Sequence, residues 1–274
     1  MSLANATRSE LTKQFTTSMW WILAIVLVVY VGSTAGGLAA AFGGTASGAI
    51  GADVGGVPAM SAEAVPPLIY SLATAVGYVF PLLIGTLLVT GEFRHQTLTP
   101  TFLATPRRGV ALSGKALAGV AVGVLYGVVA LIATVGPGAG ILAAFGVDTA
   151  LGDSGTWAML GRIVIAYVLW VLIGIGVGAL VRNQVAAVVG VIVFTQFIEP
   201  IVRTISTLVD GLSGVLSYLP GAASDALVGA SIYTTLMTGD GDGLPWWGGG
   251  LVLLGYAVVL LVLGHLLSWR RDVS

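Results

Sequence analysis

The sequence predicts an all-α membrane protein with six transmembrane helices, and two observations support this fold class. Hydrophobic residues make up 57% of the 274 residues and charged residues only 8%, whereas a soluble domain carries about 25% charged residues. Six apolar segments also approach the ~20 residues that a helix needs to cross a bilayer. These predicted spans cover residues 20–42, 67–90, 112–135, 157–181, 184–202 and 246–268. With their connections they occupy residues 1–274 as a single transmembrane domain.

The charges outside the spans are sorted by sign, and this sorting predicts the topology. Nine of the eleven Lys and Arg residues lie at the two ends of the chain or in the connections on the same side of the membrane as those ends. They are Arg8, Lys13, Arg94, Arg107, Arg108, Lys115, Arg182, Arg270 and Arg271. The connections on the other side hold eight acidic residues and one basic residue, Arg203. Basic residues that flank spans stay in the cytoplasm. We therefore expect cytoplasmic N- and C-termini in a multi-pass protein of the plasma membrane.

Residues 1–19 form a polar lead-in that we expect to fold as an interfacial helix. Leu11, Phe15 and Met19 recur every four residues, which places them on one helical face. A helix with such an apolar stripe lies along a membrane surface. Trp20 and Trp21 follow directly, at the depth where aromatic side chains anchor a span in the headgroup region.

Glycine pairs inside two of the predicted spans indicate close helix packing. Gly123 and Gly127 are four residues apart in span 3, and Gly174 and Gly178 are four residues apart in span 4. Small residues at this spacing let two helix backbones approach each other. In a chain with 40 glycines, we interpret them as packing positions and not as a dimerisation signature.

The connection between spans 5 and 6, residues 203–245, is long and mixed in polarity. Its two halves are too short or too polar to cross a membrane, and Pro220-Gly221 separates them. We expect two short extracellular helices that dip into the outer leaflet or cap the bundle. Next to this connection, Glu199 and Arg203 are four residues apart and share a helix face. They form either a structural ion pair at the end of span 5 or part of an extracellular gate.

A nucleotide-binding motif in the chain is misleading. Residues 109–115 fit the pattern Gly-x-x-x-x-Gly-Lys, but Ala116 follows where a phosphate-binding loop needs Ser or Thr. A predicted span also begins there, so we interpret Lys115 as a basic residue at the foot of span 3. The chain has no cysteine and two histidines, and its pattern predicts neither a metal site nor a catalytic residue.

The connection between spans 2 and 3, residues 91–111, carries the most specific motif. It reads Gly91-Glu92-Phe93-Arg94-His95-Gln96-Thr97, then an apolar stretch, then Pro106-Arg107-Arg108. This pattern resembles the loop between the second and third helices of ATP-binding-cassette (ABC) exporter permeases of the type-2, ABCG-like class. Gln96 departs from the pattern, since that family usually has Gly there. Ser9 to Lys13, followed by the two tryptophans, is similar to the lead-in of the same family.

The resemblance implies an exporter permease without an ATPase of its own. A separate ABC ATPase chain would bind ATP and Mg²⁺, and a second, identical or related permease chain would complete the pathway as a dimer. The permease itself would bind no cofactor and catalyse no reaction. The cargo would be lipid-like or amphipathic, such as a drug or antibiotic, moved by efflux across a bacterial plasma membrane.

The resemblance also implies a short coupling helix near residues 92–105 that docks on the ATPase. Charged and hydrogen-bonding side chains would form its base and apolar side chains its knob. The implied coupling residues are Glu92, Phe93, Arg94, His95, Thr97, Phe102, Leu103, Arg107 and Arg108.

Two other functional classes stay open at this point. An ion-driven secondary transporter needs ionisable side chains along a midplane path, and predicted spans 1, 2, 3 and 6 contain no carboxylate. An intramembrane protease needs a Ser–His pair or a metal-ligand cluster, and we expect His95 and His265 to lie near the cytoplasm. No basic face predicts nucleic-acid binding.

Overall fold

The computed structural model describes residues 2–51, 60–97, 101, 103, 108–206, 213–232, 235 and 244–269. All regular structure within these ranges is helical, which confirms the predicted fold class. Six helices in this part of the chain are long and apolar enough to cross a membrane. Spans 1 to 6 are Met19–Ala46, Val65–Arg94, Arg108–Ala144, Ser154–Leu180, Gln184–Ile205 and Trp246–Leu267.

Shorter helices and breaks complete the architecture. The N-terminal helix is Leu3–Thr16, and two short helices, Ser213–Leu216 and Pro220–Val228, lie between spans 5 and 6 as predicted. We call Pro220–Val228 the cap helix. Pro220 occupies its first turn, where the missing N–H has no intrahelical partner to lose.

Two of the spans are not regular α-helices throughout. Span 2 consists of a first segment, Val65–Ala75, and a second segment, Val79–Arg94. Span 5 contains a π-helical turn, Phe194–Ile198, and continues as the α-helix Glu199–Ser206. Membrane helices tolerate such breaks when the backbone groups that they release find other partners.

Spans 2 and 4 form the interior of the bundle. In their most apolar stretches 78% and 67% of the residues are buried, against 22%, 22% and 17% in spans 1, 5 and 6. Span 4 packs against spans 2, 3 and 6, and its Tyr167 and Trp170 are fully buried. Spans 1, 5 and 6 therefore present apolar faces to lipid or to another chain.

Glycines determine how closely the interior helices approach. A Cβ atom at Gly174 would lie 2.2 Å from the carbonyl oxygen of Leu82, and one at Gly123 would lie 2.6 Å from the Cα of Val168. Spans 2, 3 and 4 thus touch backbone to backbone at these positions, because glycine has no side chain to separate them. The predicted packing role of the glycine pairs is confirmed.

Span 3 is longer than predicted at both ends. It covers Arg108–Ala144 instead of 112–135 and continues through Pro137, although proline removes one backbone donor. A membrane helix tolerates this when its neighbours pack well, and a Cβ at Gly138 would lie only 2.8 Å from the side chain of Ile69. The connection between spans 2 and 3 is correspondingly shorter, because span 2 also extends to Arg94.

The N-terminal helix buries a different face from the apolar stripe that its sequence suggested. Ala6, Glu10 and Gln14 are buried, and the helix packs against span 3. Phe15 and Met19, from the predicted stripe, are exposed. The polar face turns inward because span 3 supplies a charged partner for it, as described below. The apolar stripe faces away from the protein, which agrees with the expected position along a membrane surface.

Candidate functional site

Four charged side chains meet where the N-terminal helix, the end of span 2 and the start of span 3 come together. We call Glu10, Lys13, Glu92 and Lys115 the charge cluster. The Lys115 ammonium is only 1% exposed, contacts the carboxylate of Glu10 and lies 3.3 Å from Oε1 of Glu92. Lys13 Nζ lies 2.7 Å from Glu10 Oε1 and 2.9 Å from Glu92 Oε1. Two cations thus neutralise two anions.

Backbone and hydroxyl groups complete the coordination of the two lysines. Lys115 Nζ donates to the carbonyl oxygen of Leu88 at 3.1 Å, one turn before Glu92 in span 2. Lys13 Nζ donates to the hydroxyl of Thr101 at 3.2 Å. The cluster therefore joins three helices to the segment that follows span 2. A buried ion pair needs such additional hydrogen bonds to offset the loss of hydration.

Small residues let the N-terminal helix reach span 3. A Cβ atom at Gly114 would lie 2.9 Å from the Cβ of Ala6, so the two helices touch at this pair. Glu10 is one turn after Ala6, and Lys115 directly follows Gly114. The close contact at Ala6 and Gly114 places their two charged neighbours within hydrogen-bonding distance.

The cluster shifts the pKa values of its two N-terminal members in opposite directions. Burial raises the pKa of Glu10, but attraction and hydrogen bonds from Lys115 and Lys13 outweigh it and leave the pKa below its ordinary value of 4.5. Burial lowers the pKa of Lys13, but Glu10 and Glu92 outweigh it and leave the pKa above its ordinary value of 10.5. Both shifts favour the charged forms that the ion pairs need.

These shifts predict how stability depends on pH. The contribution of Glu10 is present above its ordinary pKa of 4.5 and is lost as the pH falls through its lower folded-state pKa. The contribution of Lys13 is present below 10.5 and is lost as the pH rises through its higher folded-state pKa. We expect the thermal midpoint of the purified protein to fall at both extremes. Glu10→Gln should flatten the acidic limb and weaken the alkaline fall without abolishing it, because Glu92 still holds the pKa of Lys13 up. An acidic limb that is identical in wild type and Glu10→Gln would contradict this assignment.

The structure separates the predicted coupling residues into buried and exposed ones. Glu92 is 6% exposed and belongs to the charge cluster, and Phe93 packs partly against the hydrophobic core. Arg94, His95 and Thr97 are exposed at and just after the end of span 2. Leu103 is 78% exposed.

Of the three remaining predicted coupling residues, the structure describes one. Arg108 is the first residue of span 3 and is partly buried. Phe102 and Arg107 lie outside the described residues, as do 98–100, 104 and 105 of the predicted coupling helix. Its described part includes a backbone hydrogen bond from Thr101 N–H to the carbonyl of Thr97, 3.2 Å long.

At the end of span 5, Glu199 and Arg203 connect to the cap helix. Glu199 is 1% exposed, and its Oε1 accepts the N–H of Gly221 at 2.5 Å. Arg203 lies 2.5 Å from Oδ2 of Asp225, which also accepts the hydroxyl of Ser231 at 2.6 Å. We call these five residues the cap network. Arg203 thus has Asp225 as an ion-pair partner, which the four-residue spacing of Glu199 and Arg203 did not indicate.

Sequence reasoning missed the joint role of Glu10, Lys13 and Lys115. It used Lys13 as a basic residue that sets the topology, Glu10 as part of the lead-in from Ser9 to Lys13, and Lys115 as a basic residue at the foot of span 3. The i, i+3 spacing of Glu10 and Lys13 was a local signal for their pairing. The contacts of Lys115 with Glu10 and of Lys13 with Glu92 join residues 105 and 79 positions apart, and no local pattern predicts them.

Residues 4–273, nearly the whole chain, match the family model described as ABC-2 family transporter protein. The chain belongs to the ABC-2 transporter family. A search of curated proteins found no match to it. This ABC-2 protein is a multi-pass membrane permease by its family and its six spans, and the family implies an ABC transporter with an ATPase partner. The resemblance seen in residues 91–111 is confirmed at the level of the family.

The two polar sites of this ABC-2 permease lie at opposite ends of its bundle. Span 2 ends at Arg94 and span 5 begins at Gln184, so the end of span 2 and the end of span 5 face opposite sides if each span crosses once. The charge cluster sits beside the segment 92–108, and the cap network lies across the membrane from it. A permease needs elements at both ends of its bundle that change their conformation together.

Proposed function

We propose that this chain is the permease half of an ATP-powered exporter in a bacterial plasma membrane, with both termini in the cytoplasm. A second permease chain completes the pathway, and a separate ABC ATPase binds ATP and Mg²⁺. The family supports the membrane role. The excess of basic residues on the side that holds segment 92–108 supports its cytoplasmic position, where an ATPase is accessible.

The observation that carries the proposal is that the charge cluster includes Glu92, the first residue of segment 92–108. Glu92 ties the end of span 2 to Lys115 of span 3 and to Lys13 of the N-terminal helix. The exposed side chains of Arg94, His95 and Leu103 lie on the same short stretch. An ATPase that displaces this stretch therefore moves three helices as one body and not a single loop.

The cargo that suits this permease is lipid-like or amphipathic. Spans 1, 5 and 6 expose apolar surfaces along much of their length, so a pathway between two such chains has largely apolar walls. Trp21, Ile25 and Val28 line one groove on span 1. A drug or antibiotic with an apolar body and a polar group fits such walls better than an ion does.

Arg94→Ala is expected to uncouple the permease from its ATPase. The substitution removes an exposed cation from the end of span 2 without touching the charge cluster, so the permease should insert and fold normally. We expect the amount of ATPase that co-purifies with the tagged permease, and its ATP hydrolysis in nanodiscs, to fall about tenfold, as for an interfacial charge with a paired partner.

Arg182→Ala is the matched control for this experiment. Arg182 is exposed in the connection between spans 4 and 5, on the same side of the membrane as segment 92–108, and lies outside that segment. Full retention of the ATPase by Arg94→Ala would remove the coupling role of this residue. Efflux driven by a proton gradient without nucleotide would contradict the proposal as a whole and favour a secondary transporter.

A further inference from the structure

Span 2 is interrupted between its two segments by a turn at Val76–Tyr78. In an unbroken α-helix the carbonyl of Ala73 would accept the N–H of Gly77. Here it accepts the hydroxyl of Tyr167 from span 4, at 2.6 Å. A Cβ atom at Gly77 would lie 2.1 Å from the Ala73 oxygen and 2.4 Å from the Tyr167 hydroxyl. The neighbouring bonds from Val76 N–H to Leu72 O and from Tyr78 N–H to Thr74 O remain, so the break is local, and Gly77 and Tyr167 together keep it open.

Span 5 is also interrupted, and the cause lies in its sequence. The N–H of Glu199 bonds to the carbonyl of Phe194 in the π-helical register. In that register the carbonyl of Thr195 would need the N–H of residue 200, which is proline and has none. The hydroxyl of Tyr78 donates to this carbonyl at 2.9 Å. A side chain from the break in span 2 thus satisfies the break in span 5.

Tyr78 also connects to the cap helix. Its ring lies 4.7 Å from the ring of Trp170 in span 4, and Trp170 Nε1 donates to the hydroxyl of Ser224 in the cap helix at 3.1 Å. Glu199, directly after the π-helical turn, accepts the N–H of Gly221 from the same cap helix. Tyr78 therefore lies between the second segment of span 2 and two of the contacts that hold the cap helix, those of Trp170 and Glu199.

We propose that Val76–Tyr78 is a hinge in span 2, and that the Tyr78 hydroxyl passes movement of the second segment to span 5 and the cap helix. The inference rests on the proposed function, because the ATPase would apply its force at segment 92–108. This lies at the opposite end of the second segment of span 2 from the hinge. Tyr78 is a positioning residue in this scheme and contacts no cargo. The second segment and span 5 move together, and the angle between the two segments of span 2 changes.

Tyr78→Phe tests the proposal, because it removes the hydroxyl and keeps the ring against Trp170. Nitroxide labels are placed on cysteines introduced at Gly91 and Ile201, in a chain that has no native cysteine. A side chain at Gly91 meets no atom within 4 Å, and Ile201 is 56% exposed. In lipid nanodiscs without nucleotide, we expect a narrow Gly91–Ile201 distance distribution for wild type and a clearly broader one for Tyr78→Phe.

Pro200→Ala and Tyr70→Phe are the second variant and the matched control. Pro200→Ala restores an N–H to span 5, which lets that helix close its own hydrogen bonds and compete with Tyr78, so it should broaden the same distribution. Tyr70→Phe removes a similar hydroxyl–carbonyl bond, to Thr149 at 2.8 Å, from the first segment of span 2. It should leave the distribution narrow.

A second label pair separates this proposal from the function on which it rests. In complexes with the co-purified ATPase, Mg-ATP and vanadate should change the distance from Gly91 to Ser61, across the hinge, and leave the Gly91–Ile201 distance constant. Tyr78→Phe should retain ATP hydrolysis but lose about tenfold in transport per ATP, a coupling of the usual size between two sites.

The two label pairs assign each failure to one claim. An unchanged Gly91–Ile201 distribution in both Tyr78→Phe and Pro200→Ala overturns the hinge coupling, whatever the ATPase does. A Gly91–Ser61 distance that stays fixed while the rest of an ATP-bound complex moves also overturns it. Absence of any nucleotide-dependent movement in wild type contradicts the exporter function, and the nanodisc distributions then still decide the role of Tyr78.

Discussion

Lys115→Met is expected to destabilise the permease by about 3–5 kcal/mol, the usual cost of removing one partner from a buried ion pair. The Lys115 side chain is 1% exposed and contacts the carboxylates of both Glu10 and Glu92. Methionine preserves most of the volume but leaves two buried carboxylates with only Lys13 between them. The thermal midpoint, measured by fluorescence-detected size exclusion in detergent, should fall by many degrees, and the N-terminal helix should become sensitive to protease.

Two companion variants show whether charge is the cause. Lys13→Met should cost about 1 kcal/mol or less, because the Lys13 side chain is 42% exposed and water already screens its pairs. Adding Glu10→Gln to Lys115→Met should recover part of the lost stability, since Lys13 alone cannot neutralise both buried carboxylates. Equal losses for Lys115→Met and Lys13→Met would refute the view that the buried lysine holds the junction together.

Gly174→Ala is expected to prevent normal packing of spans 2 and 4. The added Cβ would lie 2.2 Å from the carbonyl oxygen of Leu82 and 2.9 Å from the backbone nitrogen of Thr86. Backbone atoms in the middle of a span cannot rotate away, so the two helices must separate. We expect a loss at the upper end of the usual cost of overpacking, about 3 kcal/mol, and a low yield of folded protein.

Gly161→Ala is the control within the same helix. A Cβ at Gly161 meets no atom within 4 Å, so this change should be neutral or stabilise span 4 by up to about 1 kcal/mol through helix propensity. Both variants are compared by yield and by thermal midpoint in the same detergent. A Gly174→Ala protein that is as stable as Gly161→Ala would mean that the two spans are less tightly packed than described.

The spans were predictable because apolar length and charge sign are local properties. Arg94 and Arg182 mark one side of the membrane without reference to any other part of the fold. The extension of span 3 through Pro137 was not predictable, because proline in a water-exposed helix would end it. Only its neighbours, such as Ile69 beside Gly138, show that the helix continues.

The segment 92–108 shows the same division inside the functional site. Its residue pattern was sufficient to suggest the family, which the match over residues 4–273 confirms. The pattern did not distinguish the buried Glu92 from the exposed Arg94 two positions later. The direction of each side chain depends on where span 2 ends, and the helix continues to Arg94.

By itself, the sequence determined that this chain has six apolar segments long enough to cross a membrane, their approximate positions and which side chains accompany the motif of segment 92–108. The tertiary structure alone decided which charges pair and which backbone groups are satisfied by another helix. Lys115 and Glu10, or Tyr78 and Thr195, are 105 and 117 positions apart. Such contacts form only after helices pack, and in a membrane a buried polar group must find its partner among whichever helices lie beside it.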